Sequence, residues 1–146
     1  MKVLVRVEVA RGAKGARQAA ARIKKMAETA LKGLGCNDRE LSVLVTGNER
    51  IRELNAMYRS IDRPTDVLSF PMDDPSMLGD VVISIEKAAI QAEQFGVTLE
   101  EETGRLVAHG LLHLLGYDHV RGGRQAAKMK MAEEELMGLF RQEGLF

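Results

Sequence analysis

All three histidines of the chain fall within one run of eleven residues, His109-Gly110-Leu111-Leu112-His113-Leu114-Leu115-Gly116-Tyr117-Asp118-His119, with offsets of four and then six. Residues four apart on a helix share a face about one turn apart, so the imidazoles of His109 and His113 can converge on one point. Gly116 can adopt the left-handed conformation that ends a helix, which lets the chain reverse and bring His119 back as a third ligand. Three neutral imidazoles suit zinc best and leave a fourth tetrahedral position for water. A structural zinc site is closed by four ligands and usually recruits cysteine. The single cysteine, Cys36, is distant in sequence and has no Cys partner. The expectation is therefore one Zn2+ ion held by His109, His113 and His119 plus water, in a catalytic rather than a structural site.

Zinc brings the pKa of a bound water to about 7 and can polarise a substrate oxygen, and both effects point to hydrolysis. The residue after the first histidine is Gly110, which has no side chain to transfer a proton. The spacing resembles the long zinc motif of metzincin peptidases, but those enzymes carry a glutamate general base at that place. A peptidase of the usual mechanism is disfavoured on this ground.

The elements that must position these histidines follow from periodicity. Val3, Val5, Val7 and Val9 alternate with Lys2, Leu4, Arg6 and Glu8, the period of a strand with one face buried. Ala16, Ala19, Ala20, Ile23, Ala27, Ala30, Leu31 and Leu34 keep helical spacing until Gly33 and Gly35. Leu41 to Thr46 reads as a second strand. Asn48 is a candidate cap for a helix with an apolar stripe of Ile51, Leu54 and Tyr58, ending before Pro64. Asp62 to Asp66 is a turn, Val67 to Phe70 a strand stopped by Pro71, Asp73 to Gly79 a loop, and Asp80 to Ile85 a fourth strand. Ala88, Ala89, Ala92 and Phe95 mark a helix closed by Gly96. Thr98 and Glu101 have capping-box spacing at the start of the helix that carries His109 and His113. Its apolar face is Leu106, Val107, Leu111, Leu114 and Leu115. Met129, Ala132, Leu136 and Phe140 belong to a last helix, with the methionines as core filler. This order predicts an α+β fold, a small four-stranded mixed sheet with about five helices. One sheet edge is available to an extended substrate.

The chain has 146 residues, 45% of them hydrophobic, enough for one domain, 1–146, with its own core. A lone cysteine excludes an internal disulfide and is consistent with a reducing compartment. No apolar run is long enough to span a bilayer, and Arg6 and Glu8 interrupt the first strand too early for a secretory signal, so a soluble cytoplasmic protein with no membrane partner is expected. Net charge is zero, but residues 1–35 hold nine Lys or Arg against two acids, leaving twelve against nineteen in the remainder. A basic N-terminal face can meet a polyanion, or it can be a solvated helix face.

Three blocks carry a resemblance to the YbeY family of bacterial rRNA maturation factors: Leu54-Asn55 with Tyr58-Arg59 and Pro64-Thr65-Asp66-Val67-Leu68-Ser69-Phe70-Pro71; Leu78-Gly79-Asp80-Val81-Val82-Ile83-Ser84; and the run from His109 to His119. The resemblance spans Leu54 to about Leu136. It implies a zincin-like fold with a metal on the three histidines. The implied activity is that of a single-strand-specific endoribonuclease, acting at the 3′ end of small-subunit rRNA and in ribosome quality control, with rRNA and the ribosome or its proteins as partners. His109, His113 and His119 match the metal ligands, and Arg59 matches the arginine regarded as important for activity. His109 and Arg59 are accordingly the catalytic candidates. Arg59 has the donors to clamp a phosphate, although an ion pair with Asp62 or Asp66 is the alternative. Asp118 fits a role orienting a histidine or acting as base in place of the missing glutamate, or that of a helix cap or turn residue, with the structural or histidine-orienting role preferred. Thr65 and Ser69 fit turn hydrogen bonding better than substrate binding, and Asp80 is placed near the metal only by its position after Gly79. The basic rim Val120-Arg121-Gly122-Gly123-Arg124 departs from the run of acids that commonly follows the third histidine in the family. Two other functions remain compatible with these residues: a non-catalytic ribosome assembly factor stabilised by its metal, and a zinc peptidase-like hydrolase with its base supplied from elsewhere.

Overall fold

The computed structural model describes residues 2–8, 15–36, 38–117 and 123–146. The chain runs β1 (Lys2–Glu8), α1 (Ala16–Gly33), β2 (Glu40–Thr46), α2 (Asn48–Arg59), β3 (Val67–Asp74), β4 (Met77–Ser84), α3 (Ile85–Phe95), α4 (Leu99–Leu114) and α5 (Gly123–Gln142). The four strands form one mixed sheet in the order β1-β2-β4-β3. β1, β2 and β4 are parallel, whereas β3 returns antiparallel to β4 and forms an outer edge. The α+β architecture expected from the sequence is the one found.

Alternation sorts the sheet into two faces. Val3, Leu41, Val43, Val45, Val81 and Ile83 join the main core with α1 and α4, and α5 packs over those two helices. On the opposite face Leu68 and Val82 meet Ile51 of α2 in a smaller cluster. Helix α4 lies at the centre, touching α1, α3, α5, β3 and β4. Leu106, Leu111 and Leu112 on it are fully buried, each contributing about 1.5–3 kcal/mol. Such anchoring is what fixes the azimuth of the histidines on the same helix.

Several local expectations are corrected. Pro71 does not stop β3, because on an edge strand its missing N–H interrupts no ladder, and the strand continues to Asp74. The expected loop from Asp73 to Gly79 is a tight hairpin instead. Asp74 accepts from the Ser76 amide and hydroxyl, both at 2.8 Å, to close it, and β4 begins at Met77. Ile85 opens α3, because Ser84 caps that helix by accepting from the Lys87 amide. Asn48 is the first residue of α2 and makes no cap: its amide donates to Glu86 at 2.9 Å and its side chain accepts from Ser84 at 2.7 Å. Tyr58 leaves the apolar stripe and is 63% exposed. It stands in edge-to-face contact with Phe70 of the edge strand β3 at 5.2 Å. Phe95 is likewise exposed. Val9 lies outside the described residues.

Candidate metal centre and substrate cleft

Helix α4 is built to end at the histidines. Thr98 Oγ1 accepts the Glu101 amide at 3.0 Å, and Glu100, Glu101 and Glu102 occupy the first turn, where the helix dipole favours acids. At the other end the Gly116 amide donates to His113 O and the Tyr117 amide to Leu112 O, both at 3.0 Å. Gly116 takes φ +93°, so the left-handed stop expected of it is present. His119 and Asp118 lie outside the described residues.

His109 and His113 do converge: their Nε2 atoms are 3.1 Å apart. Two nitrogens that share a zinc ion at about 2.0–2.1 Å each must lie within about 4 Å of one another, and this pair does. The donor set therefore fits a metal, although no group of three or more potential ligands occurs among the described residues. The other nitrogen of His109, Nδ1, meets the carboxylate of Glu133 from α5. A carboxylate only accepts, so Nδ1 is the donor in this pair, and Nε2 is the atom that a neutral ring would offer to a metal.

The two histidines form one wall of a cavity of about 500 Å³, which Arg59, Thr65, Asp66, Val67, Leu68, Ser69 and Pro71 complete. Arg59 comes from the last residue of α2, and the turn beyond it is held by buried Asn55, which donates to Arg63 O at 2.9 Å. Neither acid proposed as an ion-pair partner for Arg59 is available to it. Asp62 pairs with Arg52 at 2.9 Å, and Asp66 faces Arg105 at 3.6 Å. Among the described residues no ion pair of Arg59 is found, and Arg59 lines the cavity.

Ser69 is not a turn residue: its hydroxyl donates to Gly110 O at 2.8 Å and ties β3 to α4. Gly110 explains that closeness. A Cβ there would lie 2.7 Å from Val81 Cγ1 and 3.2 Å from Val67 Cγ2. The sheet crowds any side chain at the place where a metzincin carries its base, so even a Cβ there forces Val81 to shift. Asp80 is also corrected. It pairs with Phe70 across β3–β4, in phase with Leu68 and Val82, on the face opposite α4. Thr65 does line the cavity, with its hydroxyl donating to Asp66 Oδ1 at 3.3 Å.

Behind the cleft lies a polar network that sequence reasoning missed. Glu102 is 1% exposed. Arg105 grips it with two hydrogen bonds of 2.8 Å, and Gln91 donates to both Glu102 and Asp66. Donating hydrogen bonds to the Glu102 carboxylate raises the Arg105 pKa above its ordinary value. Asp66 also accepts the Val67 amide at 2.8 Å, so its carboxylate is spent on holding the Pro64 to Val67 turn. Glu133 was missed as well. It stands four residues after Met129 and three before Leu136, both buried. An acid on the apolar stripe of a helix was the available signal.

The family profile described as Endoribonuclease YbeY matches residues 8–141. The Endoribonuclease YbeY of Aquifex aeolicus (strain VF5) is 51% identical over 120 residues, covering 80% of each chain. That of Geobacter metallireducens is 44% identical over 132 residues, covering 85% of this chain and 88% of the relative. The solution structure of TM1509 from Thermotoga maritima superposes with a TM-score of 0.59 at 28% identity, over 98% of this chain and 94% of the other.

Proposed function

The chain belongs to the endoribonuclease YbeY family, and from that premise we propose that it is a metal-dependent, single-strand-specific endoribonuclease that matures the 3′ end of small-subunit rRNA and serves ribosome quality control. The observation that carries this reading is the pairing of His109 and His113 at 3.1 Å on a cleft that Arg59 also lines.

In this proposal His109, His113 and His119 hold one zinc ion. Bound there, zinc supplies Lewis-acid polarisation and brings hydrolysis within reach of neutral pH. Arg59 grips the non-bridging oxygens of the scissile phosphate with its fork of donors and stabilises the charge that develops on them. Neither Gly110 nor Asp66 acts as base: the first has no side chain, and the second is committed to Val67, Gln91 and Arg105. The outer edge of β3 guides an extended strand along the cleft. Tyr58, exposed beside Arg59 and braced by Phe70, offers a ring on which an unpaired base can stack. A duplex has no unstacked base to offer, which supports a preference for single strands.

Residues 1–146 then form a single hydrolase domain that works in the cytoplasm on rRNA, with the ribosome or its proteins as partners. No helix among the described residues is long and apolar enough to cross a membrane. The test is parallel digestion of single-stranded RNA, its duplex and casein by metal-stripped and zinc-restored protein. Zinc-dependent cleavage of the single strand alone is expected. Cleavage of casein, or RNA cleavage indifferent to stripping, would overturn the proposal. Normal rRNA processing in cells carrying a folded His113→Ala protein would instead favour an assembly factor.

A further inference from the structure

We propose that Glu133 is a positioning residue of the metal centre, holding the His109 ring so that Nε2 presents its lone pair to the ion. The inference rests on the metal reading above. It starts from the two ends of one imidazole: Nδ1 meets the Glu133 carboxylate, while Nε2 faces Nε2 of His113 at 3.1 Å. Free imidazole exchanges its proton between the two nitrogens and turns about χ2, and only one tautomer in one orientation can ligate through Nε2. The carboxylate selects that state by accepting from Nδ1, and its charge makes the ring a better donor.

The position of Glu133 argues against a surface pair. Its side chain is 21% exposed and that of His109 20%. Met129 and Leu136, its neighbours on the same stripe, are buried in the main core. Helix α5 is thus fixed against α4 and α1, and the carboxylate arrives at His109 with little freedom. In sequence, His119 falls between α4 and α5. One contact therefore joins the element that carries two ligands to the element that follows the third.

Zinc affinity, measured by competition with a chromophoric chelator, separates this role from simple packing. Glu133→Ala is expected to weaken zinc binding by about 10–100-fold. The isosteric Glu133→Gln keeps an acceptor but loses the charge, and a loss of about tenfold is expected of it. Glutamine also preserves the fold should alanine not. Nitrogen-15 NMR of the metal-free parent should show the Nδ1–H tautomer at His109, and Glu133→Ala should show a mixture. Parent-like zinc affinity in either folded variant overturns the positioning role while leaving the metal site intact. A parent that binds no zinc overturns the metal reading and this inference together.

Discussion

Helix α4 carries two polar clusters one turn apart, and they have opposite relations to their surroundings. Glu102 and Arg105 are satisfied from within: the acid is 1% exposed, and every strong bond of the pair goes to Gln91, Asp66 or each other. His109 and His113 instead line a cleft of about 500 Å³ together with Arg59. The first cluster uses charge to fix a turn against a helix. The second aims nitrogen donors at a space that a substrate can enter. The difference teaches that burial and charge do not by themselves mark function; what matters is whether a cluster borders a space that a substrate can enter.

Substitutions should separate the two clusters. His113→Ala is expected to have the largest effect. Loss of a group that merely supports a ligand costs 10–100-fold, so loss of a ligand should lower RNA cleavage by at least about 100-fold, with the far-UV dichroism of the parent retained. Next comes Arg59→Ala, for which a drop in kcat of about 100-fold is expected, with partial recovery in Arg59→Lys. Unchanged kcat in a folded Arg59→Ala protein would remove Arg59 from the cleft chemistry. In the other cluster, Arg105→Met leaves Glu102 buried without its cation. The guanidinium side chain is 34% exposed, which reduces the expected loss of stability to about 2 kcal/mol. That loss should appear as a fall in Tm of about 6 °C, with kcat of the folded enzyme nearly preserved. If kcat instead fell as far as in Arg59→Ala, the contrast between the clusters would collapse.

Gly110→Ala tests the seat of α4 on the sheet beside the histidines, since its methyl would press on Val81 and Val67. A loss of about 1–2 kcal/mol in chemical denaturation is expected. The smallest effect lies at the far tip of the β3–β4 hairpin, where the amide and hydroxyl of Ser76 hold the Asp74 carboxyl below its usual pKa. Because the folded value is depressed, the contribution to stability is complete above the ordinary aspartate pKa of about 3.9. It disappears as pH falls through the lower folded value. An NMR titration of Asp74 that showed an ordinary or raised pKa would remove the link.

Much of the frame was legible in the chain. Alternation in Val3 to Val7 and Leu41 to Thr46, the Thr98 cap and the Gly116 stop all specify local geometry, and each depends on neighbours only a few residues away. The i, i+4 spacing of His109 and His113 likewise became a shared face once the helix formed. Where reading failed, the deciding partner was distant. Pro71 was tolerated because β3 is an edge strand, and Tyr58 meets the Phe70 ring of that same edge strand and stays exposed. Ser69 and Asp80 went to opposite faces because the register with β4 put them there.

The sequence by itself determined a helix carrying two histidines, a glycine to end it, and an arginine at the end of another helix. Only the tertiary structure decided that Arg59 lines a cleft with those histidines, that Gly110 is crowded by the sheet, and that Glu133 meets His109. Periodicity fixes the direction of a side chain relative to its own element. The approach of α2, α5 and β3 to α4 is set by burial of apolar faces across long sequence separations, and no local pattern encodes it.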